Sequence, residues 1–333
     1  MTEPRISVAM SVYNNEPYLP AAIESVLAQD FADFEFLILN DGSKDGSREV
    51  IDRYAAMDAR IRPIHRENKG LIASLNEIID KARAPLIARM DGDDMSKPDR
   101  FSRQLAFLEA HPDHGVVGTW MEVIDEHGQP WPERQAEYPT SHESFMAAIG
   151  KARLISHPSV IMRAELVRKV GGYRAMYRHC EDIDLWLRLS EITKICSIAE
   201  PLYVYRRYDM QVSYHHSPTQ RIGAAVALIA HEARLEGRPD STGRLDAMPP
   251  LDQLDALFGK TGLARVLRAH VAPGLLHDHD ALRGEGFAML LDFVREGGRC
   301  EGLWRTVPRM LRMGEPGRAL TLAAALARQS VSG

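Results

Sequence analysis

A chain of 333 residues exceeds what one hydrophobic core usually organises, so one large domain with a smaller companion is expected. An apolar fraction of 45% and a charged fraction of 26% are ordinary for a soluble globular protein, and a net charge of −5 excludes whole-protein attraction to nucleic acid. The three cysteines, Cys180, Cys196 and Cys300, cannot all pair and share no metal-ligand spacing, which points to a reducing, cytoplasmic setting.

The first residues run straight into a strand pattern without the basic and apolar regions of a signal peptide, and no apolar stretch is long enough to cross a bilayer. Ile6 to Val12 reads as a buried strand ending in the polar turn Tyr13-Asn14-Asn15-Glu16-Pro17, followed by a helix with Leu19, Ile23, Val26 and Leu27 on its apolar face. Phe34 to Leu39 forms a second strand, running into the loop Asn40 to Gly46 and a helix carrying Val50, Ile51 and Tyr54. Ile61 to His65 is a third strand, after which Asn68-Lys69-Gly70 opens a helix through Leu71, Leu75, Ile78 and Ile79. The fourth strand, from Leu86 to Met90, ends abruptly in Asp91, Asp93 and Asp94. This alternation predicts a parallel sheet covered on both faces, with polar loops delivered to the rim where such sheets keep their ligands.

Beyond Pro98 a helix extends to about Ala110, then residues 115–120 and 122–125 read as two strands. Residues 131–155 carry no clear pattern. Ser159 to Met162 reads as a strand, and Ala164 to Val170 as a short helix stopped by Gly171-Gly172. Glu181-Asp182 opens an amphipathic helix over Ile183 to Leu189, and a pair of strands, Lys194 to Ile198 and Leu202 to Tyr205, closes this part. After Pro218 the periodicity is helical, which sets a boundary near Ser217 between residues 1–217 and 218–333.

Clustered carboxylates repel one another unless a cation sits among them. Hard oxygen ligands suit Mg²⁺ or Mn²⁺, which in turn hold a substrate's phosphates. Taken alone, Asp-x-Asp is more often an acidic, solvated turn. Neither a Gly-x-Gly-x-x-Gly fingerprint nor a P-loop is present, so a phosphate-bearing ligand would be held through a metal rather than a glycine cradle.

Five segments together carry a resemblance: Ser11-Val12-Tyr13-Asn14-Asn15-Glu16, Asn40 to Asp45, Asn68-Lys69-Gly70 with Asn76, Met90-Asp91-Gly92-Asp93-Asp94, and Glu181 to Leu189. In this order they resemble the motifs of family 2 glycosyltransferases. The resemblance covers the part before Ser217 and leaves the helical tail outside it. It implies an inverting enzyme with the GT-A fold, a nucleotide-binding mixed sheet with helices on both faces, and a smaller all-helical C-terminal region. Tyr13, Asn14 and Glu16 would pack around the nucleotide base, Asp41 would hydrogen-bond to it (uracil being usual), and Asn68, Lys69 and Arg89 would complete the nucleotide site. Asp91 would contact the ribose and, with Asp93, the Mn²⁺ or Mg²⁺ bridging the diphosphate; His215 or its neighbour His216 would supply a third ligand. Asp182 would be the general base, with Glu181 beside it. The partners implied are a nucleotide-sugar donor, UDP-sugar above all, and a glycan or lipid-linked acceptor in surface polysaccharide synthesis.

Asn40 stands where the family often has aspartate, and Gly92 where alanine is usual. The Gln-x-x-Arg-Trp element of processive synthases is absent, which favours adding one sugar at a time. Two alternatives remain open at this stage: a sugar-1-phosphate nucleotidyltransferase, which would want a glycine-rich, lysine-containing loop after the first strand, and a nucleotide-sugar or glycan binding module without catalysis. From Arg299 the tail interleaves Arg305, Arg309, Arg312, Arg318 and Arg328 with Trp304, Leu311, Leu320 and Leu322. Such a segment would make peripheral contact at the inner face of a membrane, or form a helical domain with its arginines on the wet face.

Overall fold

The computed structural model describes residues 3–131, 136–151, 153–208 and 217–331. The chain forms two compact units, one of Met1–Ala175 with Glu181–Asp209 and one of Met176–Cys180 with Met210–Gly333.

The first unit is built on strands β1 (Ile6–Val12), β2 (Phe34–Asp41), β3 (Ile61–Arg66) and β4 (Leu86–Asp91), all mutually parallel, in the order β3-β2-β1-β4. Helices α1 (Leu19–Leu27), α2 (Ser47–Met57) and α3 (Leu71–Lys81) connect them. Side chains alternate along each strand, so both faces need cover. Val8, Met10, Phe36, Ile38 and Met90 pack with Ile23, Val26 and Ile51 on one face, whereas Ala9, Leu37, Leu39 and Ile87 pack with Leu75, Ile78 and Ile79 on the other.

The sheet continues past β4 through four more strands, eight among the described residues, and there it becomes mixed. The short β7 (Ile161–Arg163) runs antiparallel to both β4 and β6 (His114–Ile124), while β6 and β8 (Lys194–Arg206) are parallel. The two pairs of strands expected over 115–125 and 194–205 are each one strand. Glu200-Pro201 broke the apparent pattern. The pairing slips in register between Thr119 and Met121, where Trp120 faces Pro201, and this bulge lets β8 run on past a residue that has no N–H to donate. The strand expected at Ser159 to Met162 is a 3₁₀ turn, His157–Ser159, followed by β7. A two-residue strand, β5 (Met95–Ser96), pairs with Tyr203 and Val204 directly after the acidic cluster and had no sequence signal.

Helices α4 (Arg100–Ala110), α5 (His142–Ala148), α6 (Ala164–Lys169) and α7 (Glu181–Ser190) complete this unit. Helix α5 falls in the stretch without a pattern and is started by a reciprocal Ser141/Ser144 cap. Arg100 is wholly buried at the start of α4, donating to Gln104, to the Arg89 carbonyl and to the Val160 carbonyl; burial lowers its guanidinium to about 10.

The second unit is helical throughout its described residues: α8 (Ser217–Leu235), α9 (Leu254–Phe258), α10 (Leu263–Leu275), α11 (His279–Arg283), α12 (Glu285–Arg295), α13 (Leu303–Arg312) and α14 (Pro316–Val331). Val271, Leu275, Leu282, Phe293, Met310, Leu322 and Leu326 form its own core. The segment 176–180 belongs to this unit because Tyr177 donates to Thr242 and Cys180 packs against Gly223. Two tail arginines are committed within the unit: Arg309 donates to the Leu276 carbonyl, and Arg318 donates to that of Leu282 and lies over Phe287. No helix among the described residues is long and apolar enough to cross a membrane.

Candidate functional site

From β1 the chain builds outward through β2 to β3, then returns to place β4 on the opposite side of β1. The strand order therefore reverses between β1 and β4. The crevice outside the carboxyl ends of those strands is where an open α/β sheet leaves room for a ligand. Register fixes which residues meet there: Ser11 lies beside Asp91, and Val12 beside Asn40.

One side of the crevice is made by the loops after β1 and β2, which are tied to each other by side chains. Asn14, in the left-handed region at φ 55°, donates its N–H to Ser43 Oγ at 3.0 Å, and its Oδ1 accepts from Lys44 N at 2.8 Å. Glu16 donates its N–H to Asp45, and its carboxylate accepts from Gly46 N at 2.8 Å. Asn40 is buried and accepts from Ser43 N, so the amide serves to shape this loop. Tyr13 is 46% exposed at the mouth.

Asp41 is only 2% exposed, and its carboxylate accepts from Lys69 N at 2.9 Å, Gly70 N at 2.8 Å and the Arg66 guanidinium. Asn68 donates to the Asp41 carbonyl at 2.9 Å. This close approach leaves no room for a side chain at Gly42, whose Cβ would sit 2.7 Å from Asn68 N and whose φ is +75°. Asp41, Asn68 and Lys69 thus form one loop clamp beside the crevice.

After β4, Asp91, Asp93 and Asp94 bring one carboxylate oxygen each within 4.8 Å of the others. They are not equivalent. Asp94 is 1% exposed and accepts from Tyr203 Oη at 2.9 Å and Arg206 N at 2.8 Å, so both its oxygens are engaged by the fold. Asp91 pairs with Arg89, and Asp93 accepts from Tyr208 Oη at 2.8 Å. Burial, then the Asp91 charge, raises the Asp93 carboxyl to about 6, and burial with both neighbouring charges pushes Asp94 well above the usual range. Arg89 is 4% exposed, and its Nε has no hydrogen-bond partner among the described residues. One buried guanidinium does not offset three carboxylates. A hard, divalent cation fits this oxygen donor set, with Asp91 and Asp93 as the residues that would hold it. His215 and His216 lie outside the described residues.

The facing wall is the start of α7. Asp182 stands in its first turn, where its Oδ1 accepts from Ile183 N at 2.8 Å. Burial raises its carboxyl above the ordinary value, while the Ile183 N–H and the positive charge of Arg89 act against that rise. Glu181, beside it, is buried. Burial, then the positive charge of Arg89, holds the His157 ring well below its usual value. His157 Nε2 and Tyr173 Oη are hydrogen-bonded at 2.7 Å, and the His157 ring meets Trp186 edge-on at 5.9 Å. Arg89 therefore acts electrostatically on both the acidic cluster and the α7 wall.

What aims α7 is a buried lock behind it. Arg188 donates to Asp184 Oδ2 at 2.6 Å and, across to the preceding turn, to the Val170 and Gly172 carbonyls. Asn76 exchanges two hydrogen bonds with the Tyr173 backbone, next to Gly172, where φ is +66° and a Cβ would lie 2.6 Å from Asn76 Oδ1. Arg188→Ala leaves the buried Asp184 carboxylate with Arg174 at 3.6 Å and strands two carbonyls, and it is expected to cost about 3 kcal/mol in urea unfolding. A loss below about 1 kcal/mol would show that the pair does not hold the helix.

Sequence reasoning did not find Tyr203, Arg206 and Tyr208, which hold the acidic cluster from the end of β8 and the residues after it. No spacing rule links them to Asp93 or Asp94, since these hydrogen bonds span more than a hundred residues.

The model of Glycosyl transferase family 2 matches residues 7–171. The putative glycosyltransferase EpsE of Bacillus subtilis is 40% identical over 239 residues, covering 70% of this chain and 84% of that protein. The O-antigen biosynthesis glycosyltransferase WbnJ of Escherichia coli is 31% identical over 224 residues, covering 66% of this chain and 84% of its own length. Among solved structures, residues 1–349 of S. aureus TarS in complex with UDP-GlcNAc superpose with a TM-score of 0.58 at 16% identity, over 97% of this chain and 92% of that one. At that identity the likeness is one of fold.

Proposed function

The chain belongs to glycosyl transferase family 2, and from that membership we propose a metal-dependent, inverting transferase that moves one sugar from a UDP-sugar to a hydroxyl acceptor. It is a glycosyltransferase with the GT-A fold. The observation that carries the finer reading is that Asp91 and Asp93 at the strand-reversal crevice and the part-buried Asp182 on α7 all lie within the field of Arg89.

In this reading the nucleotide enters over Tyr13 and lies along the tied loops of Asn14, Glu16 and the Asp41–Lys69 clamp. Asp41 acts by fixing the loop that meets the base. A divalent cation held by Asp91 and Asp93 would take up charge developing on the leaving diphosphate. Asp182 accepts the proton of the acceptor hydroxyl as that oxygen attacks the anomeric carbon. The bond from carbon to the diphosphate oxygen breaks on the opposite face, and the configuration inverts. A carboxyl made more basic by burial suits that role. Glu181 lies beside Asp182 at the same helix start. Arg89 offsets part of the negative charge of the crevice, and the cation would take up the rest.

UDP as the nucleotide rests on the family resemblance; TarS, a neighbour in fold, is in complex with UDP-GlcNAc, which agrees with it. A glycan or lipid-linked acceptor in surface polysaccharide synthesis is supported by the naming of the relative WbnJ for O-antigen biosynthesis. Peripheral contact with a membrane through the helical tail extends the reading, with the exposed Trp304 and Leu311 of α13 as the side chains that would enter the interface. Full-length protein would then sediment with anionic liposomes and Trp304→Ser would not; equal recovery of both in the supernatant counts against it. For the reaction itself, incubation with UDP-sugars and simple glycoside acceptors, followed by NMR of the anomeric proton, is expected to show the linkage inverted. A retained configuration would overturn the single-displacement mechanism.

A further inference from the structure

We propose that Tyr208 is a positioning residue of the cation site, its hydroxyl holding one oxygen of Asp93 so that the other stays aimed at the cation; this rests on the metal-dependent reading above. Tyr208 Oη donates to Asp93 Oδ2 at 2.8 Å, and among the described residues no other side chain hydrogen-bonds that carboxylate. A phenol is a neutral donor. It restrains the carboxylate without cancelling the negative charge that a divalent cation needs, as an arginine or lysine in the same place would.

The hydroxyl is itself held in place. The Tyr208 ring packs on Tyr18 with centroids 5.2 Å apart, and the Arg206 guanidinium lies 4.7 Å from the centroid of Tyr18. Arg206 also donates its Nε to the Asp93 carbonyl at 3.0 Å, while its backbone N–H serves Asp94. The end of β8 therefore grips the acidic loop at backbone and side chain together. Tyr18 stands immediately before α1, at the end of the β1 loop that begins at Tyr13. Through this stack the placement of Asp93 is joined mechanically to the loop assigned to the nucleotide. Tyr203 makes the formally equivalent bond to Asp94, which is sealed and doubly satisfied, and its oxygen accepts from Asp91 N at 3.3 Å, so it holds the backbone of the acidic loop rather than a free carboxylate oxygen.

Tyr208→Phe keeps the ring and its packing on Tyr18 and removes only the hydroxyl. Free Mn²⁺ would be followed by electron paramagnetic resonance during titration of the protein, alone and with UDP, alongside melting in EDTA. Tyr208→Phe is expected to weaken Mn²⁺ binding about tenfold or more, with an unchanged melting temperature in EDTA. Tyr203→Phe, which removes a donor to the sealed Asp94 and an acceptor for Asp91 N, is expected to lower the melting temperature in EDTA, which Tyr208→Phe leaves unchanged. Tyr18→Leu, which loosens the ring without touching the hydroxyl, is expected to weaken Mn²⁺ in the same direction as Tyr208→Phe. Wild-type Mn²⁺ affinity in Tyr208→Phe would overturn the proposal while leaving the cation site standing. Absence of Mn²⁺ binding by the unaltered protein would overturn the metal reading itself.

Discussion

Asp182→Asn is expected to lower kcat by about 10²–10⁴-fold while leaving Mn²⁺-dependent nucleotide binding unchanged. The amide nearly preserves the shape of the carboxyl and its hydrogen bond from Ile183 N, so what is lost is the ability to take a proton. The pH profile adds an independent check. Burial raises the Asp182 carboxyl above its ordinary value. The base is active when ionised, so the rate should fall as pH drops through that raised value, earlier than an exposed aspartate would require, and this limb should vanish in the variant. The sign for stability is opposite to that for activity. A carboxyl whose folded value is raised costs stability once it ionises above that value, and asparagine relieves the cost. Asp182→Asn should therefore be no less stable than the parent at pH 8. A variant that loses activity together with stability would mark Asp182 as structural.

Asp93→Ala is expected to abolish the metal-dependent part of nucleotide binding. A cation that stabilises the diphosphate by several kcal/mol accounts for an affinity loss on the order of a hundredfold or more, and EDTA should reproduce it with the unaltered protein. The Asp93 carboxyl is raised to about 6 by burial and by Asp91, so the cation competes with a proton there. Mn²⁺ affinity should fall as pH drops through that value and be insensitive to pH well above it. Nucleotide affinity equal in Asp93→Ala and parent, both in Mn²⁺, would remove Asp93 from the cation site.

The first four strands were legible because each alternates apolar side chains between two covered faces and stops at a polar loop: Ile6 to Val12 ends at Tyr13, and Leu86 to Met90 ends at Asp91. The later strands were misread where local chemistry hid a longer element. Pro201 in β8 looked like an end, yet it is absorbed by a register slip against Trp120. The β4–β7 pairing is antiparallel and very short, and no periodicity announces a strand of three residues. At the site, the acidic residues could be named from sequence because they cluster locally. Their supports could not, because Tyr203, Arg206 and Tyr208 arrive from the far end of the unit. The sequence likewise assigned Asn14, Glu16 and Asp41 to the nucleotide without indicating that their polar atoms are spent tying loops together. Asp184 and Arg188 are the exception among buried ion pairs: their four-residue spacing on one helix face was readable.

The most direct test is calorimetric titration of the purified protein with UDP in Mn²⁺ and again in EDTA, with GDP as comparison. The account predicts saturable binding of UDP in Mn²⁺ that is lost in EDTA and in Asp93→Ala but kept in Asp182→Asn. Folded protein that binds neither nucleotide in Mn²⁺, or binds UDP equally well in EDTA, would contradict it.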